Sequence, residues 1–158
     1  MTQPLSTPPS QEGPMQYAEF VERVMENAEF ASRDQAERVI MQSLGTFGER
    51  IYRTKRDYLA AQLPTRLKQY LYSRADPETT RGDTARFFLE EFYNRVSARA
   101  EVGFPEVINQ SRAVMAVLKQ AVTQPVIDEV LSDIPDEYGE LFGEEPQSPA
   151  SPTTLAQG

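Results

Sequence analysis

The chain carries one helical pattern twice, and a duplicated unit constrains the architecture before any single residue is considered. Phe20, Val24, Ala28 and Phe30 recur 72 positions later as Phe92, Val96, Ala100 and Val102. After a one-residue slip the offset becomes 71, and Leu44, Phe47, Ile51, Leu59, Leu63 and Pro64 fall on Met115, Leu118, Val122, Val130, Ile134 and Pro135. Both copies close alike: Leu63-Pro64 is followed by Leu67, Tyr70 and Leu71, and Ile134-Pro135 by Tyr138, Leu141 and Phe142. A unit of about 55–60 residues hides only about 60% of its unfolded surface and is marginal alone. The copies are therefore expected to share one core.

Apolar residues recur at helical spacing throughout, and no stretch alternates with period two between hairpin turns. The expected fold is all-α: two pseudo-symmetric repeats of about four helices forming one compact helical bundle, with disordered termini. The stripe Phe20, Val21, Val24, Met25 and Ala28 predicts a helix over 15–28. Ser32 and Gln35 form a candidate capping box, with the serine oxygen on the N3 amide and the glutamine reaching back to the cap amide. They open a second helix, which runs to Ile51. Gly45 and Gly48 interrupt it at about 1 kcal/mol each against alanine, which points to close approach of another helix. Thr54 is expected to cap a short third helix and Pro64 to begin a fourth. In the second copy, Asp83 or Thr84 is expected to cap a helix bearing Phe88, Phe92, Val96 and Ala100, ended by Gly103. Pro105 opens the next, Thr123 and Pro125 the one after, and Pro135 the last.

The organisation read from these signals is a tail over 1–14, a repeat over 15–73, a linker over 74–83, a repeat over 84–142 and a tail over 143–158. The tails are rich in Pro, Ser and Thr and cannot bury enough apolar surface to offset their ordering entropy. Met15, directly after Gly13-Pro14, is a candidate alternative start.

The two proline-marked endings carry a resemblance. Glu19-Phe20-Val21, Ala61-Gln62-Leu63-Pro64 and Leu67-Lys68-Gln69-Tyr70-Leu71, matched in the second copy by Glu91-Phe92, Ile134-Pro135-Asp136-Glu137-Tyr138 and Glu140-Leu141-Phe142, resemble a tandem-repeat prokaryotic family known as domain of unknown function 2267. The resemblance spans 15–142 and implies an all-helical protein of the bacterial cytoplasm. It implies no reaction.

Composition narrows the chemistry. Histidine and cysteine are both absent, which removes the commonest general base, the commonest transition-metal ligand, thiolate zinc sites and a cysteine nucleophile. A di-metal bundle site of the Glu-x-x-His type is impossible on this chain. No Gly-rich phosphate loop, EF-hand loop or serine elbow is present. The expectation is a non-enzymatic protein without a cofactor. No apolar run approaches the roughly 18 residues that span a bilayer, and the first residues lack the basic and apolar regions of a secretory signal, so a cytoplasmic location is expected.

Net charge is −8 and unevenly spread: residues 16–75 hold ten Lys/Arg against eight Asp/Glu, and residues 76–142 six against thirteen. The basic candidates Arg53, Lys55, Arg56, Arg66 and Lys68, with Arg50, are interleaved with Tyr52, Tyr58, Tyr70 and Tyr72. Such a mixture can contact phosphates and stack bases, although tyrosines at this spacing are more often core edge and the overall charge repels polyanions. The acidic candidates Asp133, Asp136, Glu137 and Glu140 occupy the corresponding helix of the second copy. At the 71-residue offset Arg66 overlays Glu137, so one surface is basic in one copy and acidic in the other. Complementary patches steer association and set register more than they add affinity. The expected function is a protein-interaction or scaffold module with an unidentified protein partner and charge-complementary self-association. Nucleic-acid or anionic-surface binding through the basic face is the alternative, and a small-ligand pocket between the copies a third. Phe87, Phe88, Leu89, Phe92 and Tyr93 spread beyond one stripe, which predicts a helix buried on several sides, or one with an edge left open to a partner.

Overall fold

The computed structural model describes residues 15–74, 87–132 and 134–143. In chain order these form α1 (Tyr17–Asn27), α2 (Arg33–Arg50), α3 (Arg53–Ala60), α4 (Thr65–Tyr72), α5 (Leu89–Ala100), α6 (Glu106–Ala121), α7 (Gln124–Leu131) and a closing 3-10 helix (Asp136–Phe142). No strand occurs among the described residues. Nearly all of the expected tails and of the expected linker lies outside the described residues.

α2 and α6 meet at the centre, α1 packs on α6 and α5 on α2, α4 packs on α2, the 3-10 helix on α6, and α3 meets α7. The first helix thus rests mainly on an element more than 70 residues away, which makes the core one object. Phe20, Val24, Val39, Ile40, Leu44 and Phe47 share it with Phe92, Val96, Val114, Met115, Leu118 and Tyr138. Edge-to-face rings tie the layers: Phe47 meets Phe142 at 5.4 Å, and Phe92 meets Tyr138 at 6.3 Å.

α2 begins where the sequence places it. Ser32 Oγ accepts the Gln35 amide at 3.1 Å, while Gln35 Oε1 accepts from the amide of Ala31 at 2.7 Å rather than from that of Ser32, one residue earlier than a strict capping box. The glycines in α2 have a geometric cause. A Cβ on Gly48 would stand 1.9 Å from the carbonyl oxygen of Leu71, and one on Gly45 would stand 2.7 Å from Ser73 Oγ. α4 therefore lies backbone against backbone on α2. The bends that follow α2 and α6 share one form: Ile51 and Val122 are extended, and their amides donate to Phe47 and Leu118.

Several boundaries differ from expectation. α5 starts at Leu89 with Phe88 as its extended cap residue, so Phe88 stands outside the helix and is 65% exposed. The expected caps Asp83 and Thr84 lie outside the described residues. α5 ends at Ala100, and Glu101 takes the left-handed conformation (φ 60°) in which glycine is usual. α3 begins two residues early, so Thr54 sits inside it and Tyr52 at its cap. The last element is a 3-10 helix, tighter than the α-helix of α4, with which the 71-residue offset aligns it.

Candidate functional site

The basic candidates separate on folding. Arg53, Arg66 and Lys68 are exposed on α3 and α4. Arg56 is buried, and its Nη1 donates to the carbonyls of Gly48 at 2.8 Å and Ile51 at 3.1 Å, so it serves the orphan acceptors at the end of α2. Burial pushes its pKa down, and the guanidinium lies 5.7 Å from the Tyr72 ring. Lys55 is also withdrawn: its Nζ pairs with Glu129 Oε2 at 2.5 Å and joins α3 to α7. A second tie lies just beyond these helices, with Gln62 Oε1, after the end of α3, accepting the amide of Thr123, the residue that precedes α7, at 2.8 Å. Arg50, named with the basic group, is buried and donates to the Phe87 carbonyl at 2.7 Å.

Arg66 stacks 4.5 Å from the Tyr17 ring and donates to Tyr70 Oη at 3.0 Å; that bond is the first reason its pKa is raised. Tyr58 and Tyr72 remain open at 49% and 37%, and the Tyr72 hydroxyl donates to Asp57. The residual basic face is therefore Arg53, Arg66 and Lys68 with two partly exposed rings.

The acidic candidates also carry structure. Asp133 lies outside the described residues. Asp136, Glu137 and Glu140 are exposed on the 3-10 helix. Glu137 Oε2 accepts the Leu89 amide at 2.9 Å, supplying α5 with the N-terminal cap that Phe88 cannot. Glu140 Oε2 accepts from the Tyr93 hydroxyl at 3.4 Å. The acidic and basic candidates do not converge on one site; they lie on separate elements.

A network not anticipated from sequence joins α2 to α5. Glu49 receives Arg95 at 3.2 Å and Arg99 at 2.8 Å, and Arg95 lies 4.0 Å from the Phe87 ring. Arg95 and Arg99 lie 46 and 50 residues from Glu49, beyond any local spacing rule. Tyr138 donates to the Phe87 carbonyl at 2.6 Å, and burial raises its pKa to about 12. Burial likewise raises Tyr17 and Tyr93, and takes Tyr72 to about 12. These four phenols stay neutral near physiological pH and serve as hydrogen-bond groups. No group of three or more acidic side chains among the described residues is placed to hold a metal ion, and no helix among them is long and apolar enough to cross a membrane.

An all-helical framework with charged outer faces is the class these observations define. The model of an uncharacterized conserved family, domain of unknown function 2267, matches residues 17–141, and the chain belongs to that family. No curated protein matches the chain at a significant level.

Proposed function

We propose that the chain is a duplicated helical module of a bacterial cytoplasm that acts by binding protein, including a second copy of itself, and not by catalysis. The observation that carries this reading is the opposite charge of two matched outer surfaces: Arg66 and Lys68 stand exposed on α4, and Asp136, Glu137 and Glu140 on the 3-10 helix. Duplication is supported by packing. Exchanging α1–α4 with the four later elements leaves the set of main helix pairs unchanged but for α5 on the 3-10 helix, whose counterpart is the contact of Tyr17 with Tyr70. It is supported again by paired hydrogen bonds: Arg38 Nε donates to the Ala100 carbonyl at 2.9 Å, and Gln110, 72 positions after Arg38, donates to the Glu29 carbonyl at 2.7 Å.

Exposed ion pairs contribute only about 0.2–1 kcal/mol each, so such an interface is salt-sensitive and of modest affinity. Sedimentation at low salt is expected to show concentration-dependent association that weakens as salt rises, is lost in Arg66→Glu, and returns when Arg66→Glu is mixed with Asp136→Arg. Identical monomers for every variant at every salt concentration would exclude self-association through these faces. The exposed rings of Tyr58 and Tyr72 near Arg53 favour the alternative, single-stranded nucleic acid or an anionic surface. Fluorescence anisotropy with a labelled oligonucleotide separates the two readings, since phosphate contacts weaken steeply with salt.

A further inference from the structure

The 71-residue offset that aligns the two closing helices also aligns the residues that follow them. After α4 the chain lies on α2: Arg74 Nε donates to Gln42 Oε1 at 3.2 Å, and a Cβ on Gly45 would stand 2.7 Å from Ser73 Oγ and 3.5 Å from Arg74 Cγ. The same offset sets Glu144 and Glu145 at Ser73 and Arg74, Ala113 at Gln42 and Ala116 at Gly45.

A groove of about 620 Å³ lies over those positions of α6. Asn109, Arg112, Ala113 and Ala116, spaced three and four apart on one face of the helix, line it together with Ala28 at the end of α1 and with Gly143. Gly143 closes the 3-10 helix in the left-handed conformation (φ 74°), so the chain continues from the lining of the groove itself. Consecutive Cα atoms are about 3.8 Å apart, which puts Glu144 and Glu145 within about 8 Å of Gly143. Small side chains at 113 and 116 leave room for a backbone there, as Gly45 does on α2. The charges in the lining are unequal in effect. Glu29 and Glu106 repel a carboxylate, whereas Arg112 attracts one and forms no ion pair among the described residues. Arg112 stands about 9 Å of helical rise from Glu106 and directly beside Ala113.

We propose that this groove is the seat of the chain's own next segment, Glu144-Glu145-Pro146, with a glutamate carboxylate paired to Arg112. The inference rests on the duplication proposed above, because Ser73 and Arg74 on α2 supply its pattern. The segment passes over Ala116 and then Ala113 as Ser73 and Arg74 pass over Gly45 and Gln42, and the second glutamate arrives beside the guanidinium. Arginine and carboxylate form a charge-assisted pair, and the direct covalent connection to Gly143 keeps the carboxylates at high effective concentration. Seated there, the segment covers the groove against other occupants. Salt, or a change of charge at Arg112, opens it.

The test is nuclear Overhauser spectroscopy on the full, isotope-labelled chain at low salt. Contacts from the Glu144 and Glu145 amides to the methyl groups of Ala113 and Ala116 are expected. They are expected to be lost in Arg112→Glu and to return when Arg112→Glu is combined with Glu144→Arg and Glu145→Arg. Arg112 is exposed, so its replacement leaves the core intact. Absence of these contacts in the wild type, or their persistence in Arg112→Glu, would overturn the proposal. Contacts found only between labelled and unlabelled chains would overturn it as well, by placing the segment on a second copy. Arg74 and Gln42 serve as the reference pair. If they too lack contact, the duplicated pattern fails along with the seat on α6; if they meet while Glu145 and Ala113 do not, the seat alone is overturned.

Discussion

Gly48 is held to a single choice by a backbone atom. Alanine there would press its Cβ to 1.9 Å from the Leu71 carbonyl oxygen, which cannot turn aside. Gly48→Ala is expected to lower stability by about 2 kcal/mol, the overpacking cost less the helix-propensity gain, as read from a urea midpoint. Gly45→Ala meets Ser73 Oγ, a side chain that can rotate, and is expected to fall within about 1 kcal/mol of wild type. The pair makes a strict comparison, because both glycines lie on the same helix. Arg56 is fixed by its acceptors. Arg56→Met keeps most of the apolar stem but strips the Gly48 and Ile51 carbonyls of their donor, and a loss of about 2–3 kcal/mol is expected by the same measurement. The glycines announced close approach in the sequence. Arg56 did not announce its burial, because an arginine after a helix end reads equally well as solvent-facing.

Among the elements, the 3-10 helix shows how a short segment gains its conformation from outside. α4, aligned with it by the 71-residue sequence offset, is an α-helix seated on the bare glycine face of α2, whereas α6 has Ala116 and Lys119 at the positions that offset assigns to Gly45 and Gly48. The 3-10 helix is anchored instead by Tyr138, whose hydroxyl reaches the Phe87 carbonyl. Tyr138 ties pH to stability. Burial raises its pKa from 10.0 to about 12, so in the folded state the proton is held more tightly than in the unfolded chain. Its contribution is complete below about pH 10 and is lost as pH rises toward about 12. Denaturant midpoints are expected to fall across that window, and Tyr138→Phe is expected to flatten the fall. Tyr72, also raised to about 12, and Tyr17 and Tyr93, raised as well, leave a residual slope of the same sign. The positions of most helices were legible from apolar spacing and from Ser32, Pro64 and Pro135. The start of α5 was not, because its cap is Glu137, supplied from 48 residues further along the chain.

For the molecule as a whole, the decisive feature is that α1 packs on α6 and α5 on α2. A fragment of residues 15–73 keeps α1 to α4 but loses the principal partner of α1 and the α7 surface under α3. It is expected to be unfolded as a monomer by circular dichroism, or to fold only as a dimer in which a second α2 replaces α6, with sedimentation distinguishing the two outcomes. A monomeric fragment with a cooperative melt would show that one unit is self-sufficient. The sequence by itself determined the all-helical class, the order of elements and the residues of the core, because apolar periodicity and proline or serine punctuation act within a few residues of chain. Only the tertiary structure decided which charges remain at the surface: Lys55, Arg56 and Arg50 went inward, Glu137 became a cap, and Glu29, Glu101 and Glu106 gathered around Gln110. Charges are placed by partners brought close from distant segments, and nothing in local spacing records those meetings.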